Sequence, residues 1–222
     1  MKNREQAEKR RRQGAEALYE RLLGTVNGRI ETAAAKVSTV FQDLIERFLE
    51  EQCSLTFKTI SDRPSQSGRI FQYPSLRFEM TAAAFEGQQI RRSPDDVSES
   101  QREFIDLAYR MALSDVAAVG GAMSMVIETP EASLDVIFMA RAAEMLRAFA
   151  TNVRSIVVTS NLTSSVMIPA LVGPVTDDQA VIADRRERVL NLLEIAAPNA
   201  AVLRHKADYA AFLEAGLRGY KL

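Results

Sequence analysis

Between Ala15 and Phe48 the apolar positions Leu18, Leu22, Val26, Ile30, Ala33, Val37, Val40, Leu44 and Phe48 recur at steps of three or four. That is the spacing of one helix face. No proline interrupts the run, although Gly24 and Gly28 weaken its first half. A helix this long, with a narrow apolar stripe and charges between, usually packs along another helix. After Gln52 the period changes to two: Ser54-Leu55-Thr56-Phe57-Lys58-Thr59-Ile60 alternates, as does Leu76-Arg77-Phe78-Glu79-Met80. Both read as strands. The turn formers of Ser61–Gly68 lie between them, so an antiparallel pair is expected.

A helical period returns at Ser98, with Phe104, Ile105, Ala108, Met111 and Ala112 on one face as far as about Val116, and Gly120-Gly121 ends it. Met123–Ile127 is an apolar run of buried-strand length, closed by Glu128-Thr129-Pro130. A second helix is predicted from Ser133 to about Thr151, with Leu134, Phe138, Ala142, Met145, Leu146 and Phe149 facing inward. Ser155–Val158 reads as another buried strand, ended by Thr159-Ser160-Asn161. Helix, strand, helix, strand in that order predicts parallel strands with a helical crossover. Beyond Pro174 the chain reads as helices around Ala183–Ala196 and Ala200–Leu217. The change of period near residue 52 is the clear organisational break. It divides the chain into a helical arm, 1–52, and an α/β body, 53–222.

Composition narrows the classes without choosing one. Hydrophobic residues make up 47% and charged residues 26% of 222, the balance of an ordinary globular domain with a sizeable core. A net charge of −1 gives no global field for nucleic acid or anionic lipid. The local run Lys9-Arg10-Arg11-Arg12 is either a solvated helix end or a contact for a phosphate backbone. One cysteine, Cys53, and one histidine, His205, exclude a disulfide framework and a multi-histidine zinc site. His205 reads as a surface or packing residue. The first residues, Met1-Lys2-Asn3-Arg4-Glu5, lack the apolar core of a signal peptide, and no apolar run is long enough for a membrane span. The expected location is the cytoplasm.

Four polar clusters stand at element ends. Ser98 and Gln101 form a capping box, which either simply starts a helix or presents amides and a partial positive charge to a phosphate. Glu128 closes a strand, where it is either a turn carboxylate or the acid that holds a Mg²⁺-coordinating water. Ser133-Leu134-Asp135 opens the second helix, and Thr159-Ser160-Asn161 closes the second strand. Polar residues at the carboxyl ends of successive parallel strands converge on one crevice, where α/β sheets bind ligands.

In their order and separation these clusters resemble a known family. Val97-Ser98-Glu99-Ser100-Gln101 and the helix to Leu113 are similar to the ABC signature motif and helix of SMC-like ATPases. Glu128-Thr129-Pro130-Glu131-Ala132-Ser133-Leu134-Asp135 resembles their Walker B and D-loop, and Thr159–Leu162 falls where the switch histidine stands. The resemblance covers roughly Asp95 to Ala170, and more loosely the long helix. It implies an α/β fold of a particular kind: the C-terminal half of an ABC/SMC-type P-loop NTPase head, a mostly parallel partial sheet flanked by helices, with a long N-terminal coiled-coil arm. It further implies ATP and Mg²⁺ as cofactors in a composite site. Ser98, Glu99, Ser100, Gln101, Asp135, Ser160 and Asn161 would contact nucleotide, and Glu128 would act near Mg²⁺.

The sequence departs from the family pattern in four places. Glu128 stands where Walker B normally ends in aspartate. Thr129 occupies the usual place of the catalytic glutamate, and Glu131, two residues on, is the substitute candidate for general base. Ser160 or Asn161 replaces the switch histidine. No Gly-x-x-x-x-Gly-Lys-Ser/Thr occurs, and none of the ten glycines precedes a lysine, so the grip on the β- and γ-phosphates is missing. The implied partner is a Walker A-bearing N-terminal lobe, with a head–head dimer, DNA as a possible ligand and no membrane. The implied setting is DNA repair, DNA maintenance or defence against foreign DNA. A second reading is a non-catalytic dimerisation module that retains the fold. A third, a plain helical adaptor, leaves the polar clusters unexplained.

Overall fold

The computed structural model describes residues 2–49, 52–61, 72–82, 89–118, 121–150, 154–161, 166–195, 199–218 and 220. Most of the predicted turn after Ser61, Gly120, the expected helix end at Thr151, and Leu162 lie outside these residues. The chain divides into two compact units: Met1–Val97 with Leu107–Ala118, and Ser98–Asp106 with Val119–Leu222.

The first unit begins with α1, a 47-residue helix from Lys2 to Phe48. It starts well before the apolar stripe does, because the charged residues ahead of Ala15 include neither glycine nor proline before Gly14. Its two halves differ. Leu18, Leu22, Val26 and Ile30 are 42–54% exposed, whereas Ala34, Val37, Phe41, Leu44 and Ile45 are buried. The buried part covers a sheet in which β1 (Gln52–Ser61) pairs antiparallel with β2 (Gln72–Ala82), and β2 with the short β3 (Gln89–Arg91). The register sets Cys53 opposite Met80 and Leu55 opposite Phe78, so Cys53, Leu55 and Met80 form the inward face. The Ser38 hydroxyl donates to the Leu55 carbonyl and fixes helix against strand. Leu107, Ala108, Met111 and Ala112, from the later turns of α2 (Glu99–Ala117), complete this core, with Tyr109 edge-on to Phe41 at 6.4 Å. The antiparallel pair is as expected. The third strand is an addition, too short at Gln89-Ile90-Arg91 to show a period.

In the second unit β4 (Met123–Glu128) and β5 (Arg154–Thr159) pair in parallel, joined by α3 (Val136–Phe149). This is the predicted strand–helix–strand crossover. The fold class is α/β with a long N-terminal helix. Ala142, Ala143, Met145, Leu146 and Phe149 form the buried stripe of α3, and Phe104 meets Phe138 at 5.9 Å. Then follow α4 (Met167–Val172), α5 (Gln179–Arg188) and the short α6 (Leu192–Ile195), α7 (Ala200–Arg204) and α8 (Lys206–Gly216). The outward positions of the parallel pair are bare: Val126 is 72% and its neighbour Val157 52% exposed. No helix among the described residues is long and apolar enough to cross a membrane.

Candidate functional site

The site is built around the loop from Glu128 to Asp135, which leaves the carboxyl end of β4. On one side it is bonded to the end of β5. The Thr129 amide donates to the Thr159 carbonyl at 2.8 Å and is 3.3 Å from the Thr159 hydroxyl. Glu131 accepts through Oε1 from the Ser160 hydroxyl at 2.9 Å and from the Asn161 amide. On the other side the loop is bonded to the start of α2. The Ser100 hydroxyl donates to the Ser133 carbonyl at 3.1 Å and accepts from the Asp135 amide at 3.0 Å. The loop carries two of the four polar clusters, Glu128 and Ser133–Asp135, and these bonds tie the other two to it in one continuous edge.

Each part has a local cause. At α2 the capping box is complete: Ser98 Oγ accepts from the Gln101 amide at 3.2 Å, and the Ser98 amide donates to Gln101 Oε1 at 3.1 Å. The amides of Glu99 and Ser100 remain as open donors of the first turn. Ser98 and Glu99 are exposed there, and Gln101 is half-buried. At α3 the helix begins later than Ser133. The Asp135 carboxylate caps it, Oδ1 accepting from the amides of Ile137 and Phe138 at 3.0 Å each. A short 3₁₀ turn, Pro130–Ala132, takes up the residues between strand and cap. The two helix starts are thus held together by one serine, with partial positive charge at each.

Thr129 carries a conformation that the sequence did not reveal. It has φ 41° and ψ 56°, in the left-handed region. A β-branched residue is rarely found there, and one that precedes proline is disfavoured from helical conformations as well. The two bonds to Thr159 hold it. Strain of this kind, on the order of 1–3 kcal/mol, collects at functional sites.

Glu128 is exposed at the strand end, opposite Thr159 in the ladder. Glu131 is the reverse, 5% exposed, with Oε2 buried and without a partner. As it stands Glu131 is a tether for the segment after β5. The sequence offers it as the substitute general base, two residues past Thr129, and gives no sign of its burial. Ser160 is half-buried against it and Asn161 is exposed. Among the described residues no group of three or more histidine, cysteine, aspartate or glutamate side chains can hold a metal ion. Exposed Glu128 and the amides of the first turn of α2 are compatible with a water-mediated Mg²⁺ and an anion.

No protein-family model matches the sequence, and no curated protein matches it. Among solved structures the chain is similar to one described under "Structural biochemistry of ATP-driven dimerization and DNA stimulated activation of SMC ATPases", with a TM-score of 0.46 and 17% identity over 65% of this chain and 76% of that one. It is also similar to an Smc head bound to the C-winged-helix domain of ScpA, with a TM-score of 0.43 and 17% identity over 64% of this chain and 38% of that one. A third is the Smc head domain with an extended coiled coil bound to the C-terminal domain of ScpA derived from Pyrococcus furiosus, with a TM-score of 0.40 and 19% identity over 73% of this chain and 38% of that one. The chain spans under half the length of the last two.

Proposed function

We propose that the chain is the C-terminal lobe of an SMC-like ABC ATPase, which supplies signature motif, Walker B and D-loop to an ATP site completed by a Walker A-bearing lobe. The observation that carries this reading is the continuous edge: Glu128–Asp135 bonded to Thr159–Asn161 on one side and to Ser100 on the other. In it the exposed start of α2, with Ser98 and the amides of Glu99 and Ser100, faces the terminal phosphate of an ATP gripped elsewhere. Gln101 holds that start in shape. Asp135, exposed at the cap of α3, marks the part of the edge that meets a second head. Ser160 and Asn161 orient phosphate by hydrogen bonding, since neither can carry a proton as histidine does.

Bound Mg²⁺ and ATP supply charge neutralisation and the reactive phosphoanhydride. Glu128 would be the residue that holds Mg²⁺, through water. Thr129 has no basic group for the attacking water. Glu131 takes that role only after its bonds to Ser160 and Asn161 are released, because a base must lie within hydrogen-bond reach of the proton it removes. Residues 1–52 form the returning coiled-coil arm and 53–222 the lobe in this reading. A cytoplasmic setting in DNA repair, DNA maintenance or defence against foreign DNA goes with it, with a head–head dimer and DNA as partners.

The test is ATP turnover by the chain mixed with P-loop lobes encoded beside it. The chain alone is expected to be inactive, and a competent mixture to be active. Ser98→Asp separates fold from chemistry, since aspartate caps a helix as well as serine does but places a negative charge before the phosphate. Turnover in the S98D mixture should fall at least tenfold while the melting temperature holds. Full activity in that variant would sink the reading.

A second reading is favoured by one observation, the burial of Glu131. With its carboxylate tied down, the lobe is a non-catalytic module that dimerises through its bare sheet face. Light scattering checks it: a clean monomer that captures no lobe argues against it.

A further inference from the structure

At the other end of α3, away from the carboxyl ends of the strands, two arginines are placed with no carboxylate partner among the described residues. Arg185, on α5, is 4% exposed. Its Nη2 donates to the Pro174 carbonyl at 2.8 Å, and its guanidinium lies 5.9 Å from the Tyr220 ring centroid. Its Nε and Nη1 are buried with no acceptor. Arg147, in the last turn of α3, donates from Nη1 to the Ala170 carbonyl at 3.3 Å, and its side chain faces solvent. Both guanidiniums converge on Gly173, which follows α4 and is buried with φ 92°. A Cβ at this position would stand 3.3 Å from Arg185 Nη2 and 3.6 Å from both terminal nitrogens of Arg147. The left-handed φ favours glycine here, and a Cβ would crowd Arg185 by only a few tenths of an ångström. Among the described residues no carboxylate pairs with either.

The carbonyls account for one N–H of each arginine and bring no full charge. Two like charges at one point, one cut off from water, are unfavourable unless an anion joins them. The ends of α3 and α4 that meet here are carboxyl ends, so the helices offer no positive pole and attraction must come from the guanidiniums. We propose that Arg147 and Arg185 form a binding site for a phosphate dianion, either inorganic phosphate or a phosphate monoester. Two guanidiniums carry two positive charges, which a dianion balances. A carboxylate or a phosphodiester leaves one over. Arg185 is the floor of the site and Arg147 its outer wall. The outer wall can swing, since its bond to Ala170 is long and solvent-facing. Gln at either position keeps donors but loses the charge.

Thermal unfolding of the full chain, followed by circular dichroism, tests this with sodium phosphate against sodium chloride at equal ionic strength. At ten times its dissociation constant, phosphate should raise the midpoint by about 3–6 °C. Arg147→Gln, at an exposed position, should fold normally and lose most of that rise. Arg185→Gln should lose all of it, and if that variant folds poorly the Arg147→Gln result decides. Phenyl phosphate separates the sources. A rise with it as well as with phosphate means an open site that accepts monoesters, and a rise with phosphate alone means a closed site for the free ion. Dimethyl phosphate and short single-stranded DNA, both diesters, should have no effect. The proposal is overturned if phosphate does no more than chloride, if Arg147→Gln retains the full rise, or if a diester matches phosphate.

Discussion

Thr129 shows how a residue can be plain in the sequence and unreadable in its conformation. Its identity flagged a departure from the family pattern, while its left-handed backbone comes from outside, through the Thr159 bonds. Glycine adopts that conformation freely at the cost of a looser unfolded chain. Thr129→Gly is therefore expected to raise the unfolding free energy by roughly 1 kcal/mol, measured by urea titration. A lower stability would mean that the threonine contacts outweigh the strain. Ser98 and Gln101 were legible because a capping box is local. Glu131 was not, because its burial depends on Ser160 and Asn161, about thirty positions away along the chain.

At the scale of elements, periodicity placed most helices and strands, and its errors have physical reasons. The start of α3 moved from Ser133 to Asp135 because the Ser133 carbonyl is used by Ser100, and the aspartate is the better-placed cap. The helix expected around Ala183–Ala196 is two: α5 starts at Gln179, capped by Asp178, whose Oδ1 accepts from the Ala180 amide at 2.9 Å, and ends at Arg188 before α6 begins at Leu192. In α1 a uniform stripe gave no hint that burial begins only at Ala34. Helices without tertiary packing are weakly held. Amide exchange should accordingly be fast from Glu5 to Glu31 and slower, by about a hundredfold or more, from Val37 to Leu44, as read by mass spectrometry on the isolated chain. Equal protection along α1 would show that its first half already has a cover, such as a second copy.

For the molecule as a whole, the sequence made the α/β class legible, and the change of period near residue 52 marks the passage from α1 to β1. It did not disclose that one face of the β4–β5 pair is open. Met123–Ile127 and Ser155–Val158 read as buried runs, yet Val126 and Val157 stand side by side in solvent. Parallel sheets are nearly always covered on both faces. Under the composite reading, Val126→Glu with Val157→Glu should shift the stability of the isolated chain by no more than about 0.5 kcal/mol, since both side chains are exposed already. The same pair should abolish capture of a P-loop lobe in a pull-down. Unimpaired capture would place that lobe elsewhere.

Ser100 has one further consequence. A hydroxyl owns a single hydrogen, and here it points at Ser133, while the oxygen is taken up by the amide of Asp135. No donor is left on it for an anion. Whatever anion visits the first turn of α2 meets main-chain donors and the Ser98 hydroxyl, which sense charge and shape but cannot tell adenine from guanine. Under the composite reading, choice of base must then be made by groups outside this edge.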